Sequence, residues 1–308
     1  MGFPTMGVWW WGCCILRGAY RWRLGRGIEY LADPPGAVIS TWAQGVSADG
    51  AIVAGNVVVW EGNREVRYLA RWFADGRVEI IPGSRELAMR ALSGDGRVIV
   101  GTDFNYYIPI GFRWVEGRGV EHPFLGSPRD LSYDGRIVVG TGGWAFRWVE
   151  GRGYEPSGLV LFDHEWSAAL SVSWDGRVVG GGYQVADYEP SGGFVWRKGV
   201  GFEDLYEAFR SLWPEWVTEI SGAQDLSANG RYLVGMVTTR DRWFYPFWLD
   251  MGRLGDVDGD GCVDDRDLWE VLFGFGASGM NLRGDLDGDG VVGERDLLEV
   301  FSHFGEGC

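Results

Sequence analysis

Lysine is all but missing from this sequence. Of 28 basic residues only Lys198 is a lysine, which leaves little scope for Schiff-base or other lysine chemistry. Histidine is scarce as well: His122, His164 and His303 are scattered along the chain, so no histidine metal site or acid–base pair is marked by spacing. No apolar run reaches the ~18 residues of a membrane span. There is no Gly-x-Ser-x-Gly elbow, phosphate loop, His-Glu-x-x-His helix or dinucleotide fingerprint, and no asparagine lies in an N-glycosylation sequon. No basic stripe exists to neutralise phosphates, which argues against nucleic acid as a partner. Cysteine is limited to Cys13, Cys14, Cys262 and Cys308. The opening Met1–Arg17 is apolar and Trp-rich but has neither a basic leader nor a clean cleavage site, so a signal peptide is not evident. With 43 acidic residues, a carboxylate pair for sugar hydrolysis would be a matter of spatial separation. No catalytic residue is assigned.

What the chain does have is acid, and the acid is concentrated. The formal charge is −15, and Gly255 to Cys308 holds 14 acidic residues against 3 arginines. That segment therefore carries −11 and the other 254 residues only −4. A hydrophobic content of 46% and an aromatic content of 15% are enough for a sizeable core.

The first 252 residues repeat. A Ser-x-Asp-Gly or Ser-x-Asn-Gly turn recurs at Ser47, Ser93, Ser132, Ser173 and Ser227. A Val/Ile run follows each turn and ends in Gly55, Gly101, Gly140, Gly181 or Gly235. Then come Trp72, Trp114, Trp148, Trp196 and Trp248, with a front unit ending at Trp22. Asp-Gly and Asn-Gly supply the positive φ of tight turns. Short β-branched runs are strands, and a spacing of 34 to 52 residues matches a four-stranded blade. The expected fold is mainly β: a six-bladed β-propeller over residues 1–252 and a small C-terminal α-helical domain over 253–308. These units resemble the HAF-type repeats of bacterial extracellular proteins. The front unit lacks its opening strand and the last lacks a clear fourth. Either the two ends complete a blade together or a neighbouring molecule supplies a strand. Leu205, Phe209 and Leu212 fall at helical spacing before Pro214, which predicts a short helix packed on its own propeller.

The C-terminal acids fall into two twelve-residue loops starting at Asp256 and, 29 residues on, at Asp285. Calcium loops ligate through positions 1, 3, 5, 7, 9 and 12, with glycine at 6. The first ion would take Asp256, Asp258, Asp260, the Cys262 carbonyl and Asp267, with Asp264 directly or through water. The second would take Asp285, Asp287, Asp289, the Val291 carbonyl and Asp296, with water opposite Gly293. Hard oxygen donors without thiolate or histidine pairs select calcium over zinc, so the expected cofactor is two calcium ions. The two units should pack with approximate two-fold symmetry and bring the module's ends together. A Cys262–Cys308 disulfide then fits an oxidising compartment, the alternative being two free thiols. Each loop leads into a helix, at Asp267–Phe273 and Asp296–Phe301.

Residues 255–308 resemble a type I dockerin. The resemblance implies docking to a cohesin-type module through loop positions 10 and 11, here Asp265, Arg266, Glu294 and Arg295. The family often has small hydroxyl residues there. The short connection Leu249–Leu254, without a Gly/Ser/Pro-rich tether, predicts a module held against the propeller. The expectation is a non-catalytic extracellular or cell-surface protein, secreted by a bacterium, whose partner is a cohesin or further copies of itself in a filament or tube. The alternative is a dockerin-bearing carbohydrate-active enzyme or glycan-binding accessory on a cohesin scaffold.

Overall fold

The computed structural model describes residues 10–14, 18–36, 38–106, 110–155, 166–184, 191–198, 201–241, 243–252, 255–258, 260, 262–279, 282, 284–286 and 291–305. Among these the chain forms six antiparallel sheets in sequence order. The first contains β1 (Trp10–Cys14), β2 (Gly18–Arg23) and β3 (Gly27–Tyr30). The second contains β4 (Val38–Val46), β5 (Ile52–Glu61), β6 (Arg64–Phe73) and β7 (Val78–Ile80). The third contains β8 (Leu87–Leu92), β9 (Val98–Asp103), β10 (Ile110–Val115) and β11 (Gly119–Phe124). The fourth contains β12 (Ser127–Leu131), β13 (Ile137–Thr141), β14 (Ala145–Val149) and β15 (Gly153–Tyr154). The fifth contains β16 (Trp166–Val172), β17 (Val178–Gln184), β18 (Ser191–Arg197) and β19 (Gly201–Asp204). The sixth contains β20 (Val217–Leu226), β21 (Tyr232–Thr239) and β22 (Phe244–Asp250). Among the described residues the first and last sheets have three strands each.

Each repeat element has a local cause. In the turn, Ser47 Oγ donates to Asp49 Oδ1 (2.6 Å) and accepts from Ile52 N (2.9 Å), while Gly50 takes φ +68°. The same bonds recur at Ser93, Ser132 and Ser173, and with Asn229 in place of the acid at Ser227. The turns also bind one another along one rim: Ala48 N to Gly94 O, Asp95 N to Tyr133 O, Tyr133 N to Trp174 O, and Trp174 N to Ala228 O. The second glycine of the repeat is required by close approach. A Cβ on Gly101 would lie 2.0 Å from the Ala88 carbonyl oxygen, and one on Gly181 2.2 Å from that of Ala168.

Five hydrophobic clusters join consecutive sheets, first to second through fifth to sixth. Four of them hold a repeat tryptophan: Trp72, Trp114, Trp148 and Trp196, each packed against the preceding sheet. On the opposite face of the same strands the preceding residue reaches toward the following sheet. Arg71, Arg113 and Arg147 are buried there, over the rings of Trp114, Trp148 and Trp196. Their charge is answered by glutamates: Glu79 and Glu116, Glu121 and Glu150, and Glu155. Among the described residues no comparable cluster joins the sixth sheet to the first.

The register corrects one reading of the repeat. Trp72 pairs with Val53, Trp114 with Ile99, Trp148 with Val138 and Trp196 with Val179. In the sixth sheet the equivalent pair is Leu233 with Leu249, and Trp248 instead takes the arginine slot opposite Val234. Leu249 is accordingly buried at 5% exposure, while Trp248 is 70% exposed. Identity to the motif misled here because Phe247-Trp248 preserves the aromatic pair with a one-residue slip.

The expected helix is present as α1 (Leu205–Ala208), followed by a 3-10 turn over Arg210–Leu212. Leu205, Phe209 and Trp213 pack into the cluster between the fifth and sixth sheets, but Leu212 is exposed. The first strands of sheets two to six neighbour one another in series and are the inner strands. Each carries a bulge at the same register, at Gln44, Arg90, Arg129, Leu170 and Gln224. Just past three of these bulges, Ser171 Oγ lies 2.9 Å from Asp130 Oδ2 and 2.9 Å from Asp225 Oδ1. Burial pushes Asp130 up to about 6, and the neighbouring Asp225 charge adds to the rise.

Candidate metal centre

Two helices follow the sheets, α2 (Asp265–Gly274) and α3 (Glu294–His303). Their apolar faces meet in a cluster of Val257, Val263, Val271, Val292 and Val300, flanked by Leu268, Leu282, Leu286 and Leu297. It shares no member with the inter-sheet clusters. The pairs Val263/Val292, Leu268/Leu297 and Val271/Val300 each lie 29 residues apart, so two copies of one unit build a common core.

The two copies repeat several of the same bonds. Asp267 is fully buried at the start of α2; its Oδ1 accepts from Val257 N (2.6 Å) and Asp258 N (2.9 Å), and its Oδ2 from Asp264 N (2.8 Å). Asp296, equally buried, accepts from Leu286 N (2.6 Å) and Gly293 N (2.7 Å). Position 12 thus folds each loop back onto its own helix. After α2, Gly276 at φ +82° donates its N–H to Val292 O of the second loop (2.8 Å). After α3, Gly305 at φ +88° donates to Val263 O of the first (2.7 Å). Each loop is closed by the other unit's helix end. Gly255 and Gly284 are crowded in the same reciprocal way, against Val300 and Val271.

Of the expected first-loop ligands, Asp256, Asp258 and Asp260 come together, with carboxylate oxygens within 4.8 Å of one another. Asp258 Oδ1 also accepts from Asp260 N, and Asp260 Oδ1 from Cys262 N. Arg266 Nη1 lies 3.3 Å from Asp260 Oδ2. Three convergent hard oxygen donors suit a divalent cation of the calcium kind. Asp264 and Asp267 lie outside this trio. Asp264 caps α2 through Arg266 N (2.8 Å), and Asp267 holds backbone N–H groups as described. In the second loop Asp285, Val291 and Asp296 are described, while Asp287 and Asp289 lie outside the described residues. Val291 pairs with Ser278 in an isolated bridge. Cys262 is disulfide-bonded; Cys308, its expected partner, lies outside the described residues.

Asp265, Arg266, Glu294 and Arg295 are all exposed. Beside them stand large apolar side chains in solvent: Trp269 and Phe273 stacked on one another (5.6 Å) on α2, and Leu298 and Phe301 on α3. Asp258, Arg266, Trp269, Glu270 and Phe273 line an open groove. The sequence reading missed the reciprocal glycine closures. The signal for them was the repeated Phe-Gly at 275–276 and 304–305.

Among the described residues no helix is long and apolar enough to cross a membrane. No protein-family model matches the chain, and no curated protein matches it. Among solved structures it is similar to TolB from Acinetobacter baumannii, at 15% identity and a TM-score of 0.50 over 82% of this chain and 66% of that one. It is similar also to a putative TolB from Agrobacterium tumefaciens, at 15% identity and 0.44 over 80% and 92%. A third similar structure is an oligogalacturonate lyase in complex with manganese, at 11% identity and 0.46 over 77% and 72%. The chain spans 66% of the length of the Acinetobacter TolB. At such identity the first likeness shows the fold alone, and that fold is a β-propeller.

Proposed function

We propose that this is a non-catalytic extracellular assembly protein, in which a β-propeller of six sheets carries a calcium-stabilised, dockerin-like docking module. The observations that carry this reading are the clustered Asp256, Asp258 and Asp260 and the repetition, in both loop–helix units, of the position-12 bonds and the glycine closures. Calcium supplies the counter-charge that lets those carboxylates converge. Asp267 and Asp296 hold the loops in shape, and the exposed rows on α2 and α3 supply a contact surface for a cohesin-type module. A disulfide from Cys262 to Cys308 locks the module's end in this reading. Calorimetry on metal-stripped protein tests it: two calcium ions are expected per chain, and one after Asp256→Ala and Asp258→Ala together. Absence of calcium binding, or chelator sensitivity unchanged in that variant, sinks the proposal.

Self-assembly is favoured by a separate observation. The sixth sheet exposes Tyr232, Val234, Phe244 and Trp248, and the first exposes Ile28 and Tyr30. The sixth-sheet face is the kind covered by a following sheet at all five junctions, and the first-sheet face is the kind covered by a preceding one. A second copy offers the missing half of each, and a head-to-tail contact of this type propagates. Sedimentation of calcium-loaded protein tests it. Concentration-dependent polymers should collapse to monomers in Trp248→Arg, and a wild-type protein that stays monomeric leaves cohesin docking as the account.

A further inference from the structure

The inner strands carry a group of polar side chains that the assembly reading does not use. Gln44, Arg90 and Arg129 occupy the same bulge register on β4, β8 and β12, the inner strands of three consecutive sheets. Bulges of this kind re-aim a side chain out of the ladder and are common beside binding sites. The arginines of the repeat show how this chain treats a guanidinium it buries for structure: Arg21, Arg71, Arg113 and Arg147 each face a glutamate. The half-buried Arg129 and the exposed Arg90 differ. Among the described residues neither makes a hydrogen bond or an ion pair, and Arg129 Nε is buried without an acceptor. Burial, with the Arg90 charge adding to it, holds Arg129 below the usual guanidinium range. The acids nearest in sequence are turned elsewhere: Asp130 shares Ser171 with Asp225, Glu86 pairs with Arg64 and Asp95 accepts from Ser93. Beside Arg90, Gln44 Nε2 donates to Met89 O (3.0 Å), which leaves Gln44 Oε1 buried and without a donor.

Two like charges on neighbouring inner strands, one of them partly withdrawn from solvent and neither met by a carboxylate, attract an anion. Paired guanidinium groups match the two oxygens of a carboxylate. The orphaned Gln44 oxygen asks for a donor on the same ligand, which a fully ionised sulfate or phosphate does not have and a hydroxyl does. We propose that Gln44, Arg90 and Arg129 form a binding site on the propeller's inner strands for a small hydroxylated carboxylate, the chemistry of a sugar acid. Arg90 and Arg129 hold the carboxylate, and Gln44 accepts from a neighbouring hydroxyl.

Calorimetry on the full chain at low ionic strength, with calcium present throughout, tests this with glucuronate, glucose and sulfate as probes. Glucuronate is expected to bind, sulfate to bind more weakly and glucose not to bind. Arg90→Gln and Arg129→Gln should each weaken glucuronate by about tenfold or more, the loss of a charge-assisted hydrogen-bond set. Both variants should melt at or above the wild-type temperature, because each removes one of two like charges. Arg129→Lys keeps the charge and should still lose most of the affinity, since an ammonium makes no paired contact. Gln44→Leu should abolish the preference for glucuronate over sulfate. A trimer of the sugar acid that binds more tightly than the monomer identifies the end of an acidic polysaccharide as the source, and equal binding identifies the free acid. The proposal is overturned if glucuronate does not bind, if the lysine variant binds as well as wild type, or if the Arg90→Gln, Arg129→Gln double variant binds unchanged.

Discussion

Replacing Asp130 by asparagine should stabilise this protein, and the gain should depend on pH. One serine hydroxyl has one proton, yet Ser171 Oγ sits 2.9 Å from carboxylate oxygens of both Asp130 and Asp225. Only one acid can accept that proton; the other makes the contact best when it is itself protonated. Asp130 is the more buried member, also bonded by Val172 N and Leu131 N, and is pushed up to about 6. An aspartate in the unfolded chain titrates near 4. The folded state therefore binds the proton more tightly, so this group's contribution is fully present below about pH 4 and is lost as pH rises through about 6. The difference between the limits is about 3 kcal/mol. Asparagine never ionises and can donate to Ser171 from the Oδ2 position; Leu131 N keeps its acceptor, but the Val172 N bond to that same position is lost. At pH 7.5 the ~3 kcal/mol less about 1 kcal/mol for the lost Val172 N bond leaves Asp130→Asn a gain of up to about 2 kcal/mol, a few degrees in melting temperature; at pH 4.5 the balance should fall to zero or below. Near-UV circular dichroism melts across that range measure it, and Asp225→Asn should move the wild-type transition to lower pH. A variant that is destabilised at pH 7.5, or a difference that does not vary with pH, would refute the shared-proton argument.

Arg113 is the best-connected of the buried repeat arginines, bonded to Gly135 O, Glu121 and Glu150. Arg113→Ala should cost about 3–5 kcal/mol in urea unfolding, because it strands charges placed for it. Gly101→Ala drives a Cβ onto the Ala88 carbonyl and should destabilise by about 1–3 kcal/mol or more, whereas Gly117→Ala, with open space around it but φ +77°, should cost only about 1 kcal/mol or somewhat more. Trp248→Arg should leave monomer stability within about 0.5 kcal/mol, as expected for an exposed side chain. Asp267→Ala should weaken the helical module even with calcium in excess, since three N–H groups lose their acceptor, while excess calcium should rescue the single variant Asp258→Ala; helical circular dichroism against calcium concentration separates the two.

The sheets were readable because their causes are local. Ser-x-Asp-Gly sets the turn, the Val/Ile run sets the strand, and the following glycine marks where a neighbouring carbonyl presses in. Their order and the two incomplete ends followed from counting units. What could not be read was anything that depends on register between distant segments. Trp248 looked like its five predecessors until the pairing of Leu233 with Leu249 showed the slip. Gln44, Arg90 and Arg129 carry no common motif, and only shared bulges on separate sheets bring them together. In the loops, ligand spacing was legible and three first-loop aspartates do converge. The capping roles of Asp264 and Asp267 were not, because the backbone N–H groups they satisfy exist only once the loop has closed.

The exchange of Gly276 and Gly305 across the helical pair has a consequence for how separable the module is. Neither loop–helix unit completes itself: each lends its end to the other's loop, and their valines make one core. The module is in effect a two-fold dimer whose protomers share a peptide chain. A cut between α2 and the second loop, placed beyond Ser278, would leave both glycine closures and the shared valine core in place, and the halves should stay together as subunits do. A half set free would be left with an open loop and a bare valine face, whose best complement is the corresponding half of another molecule.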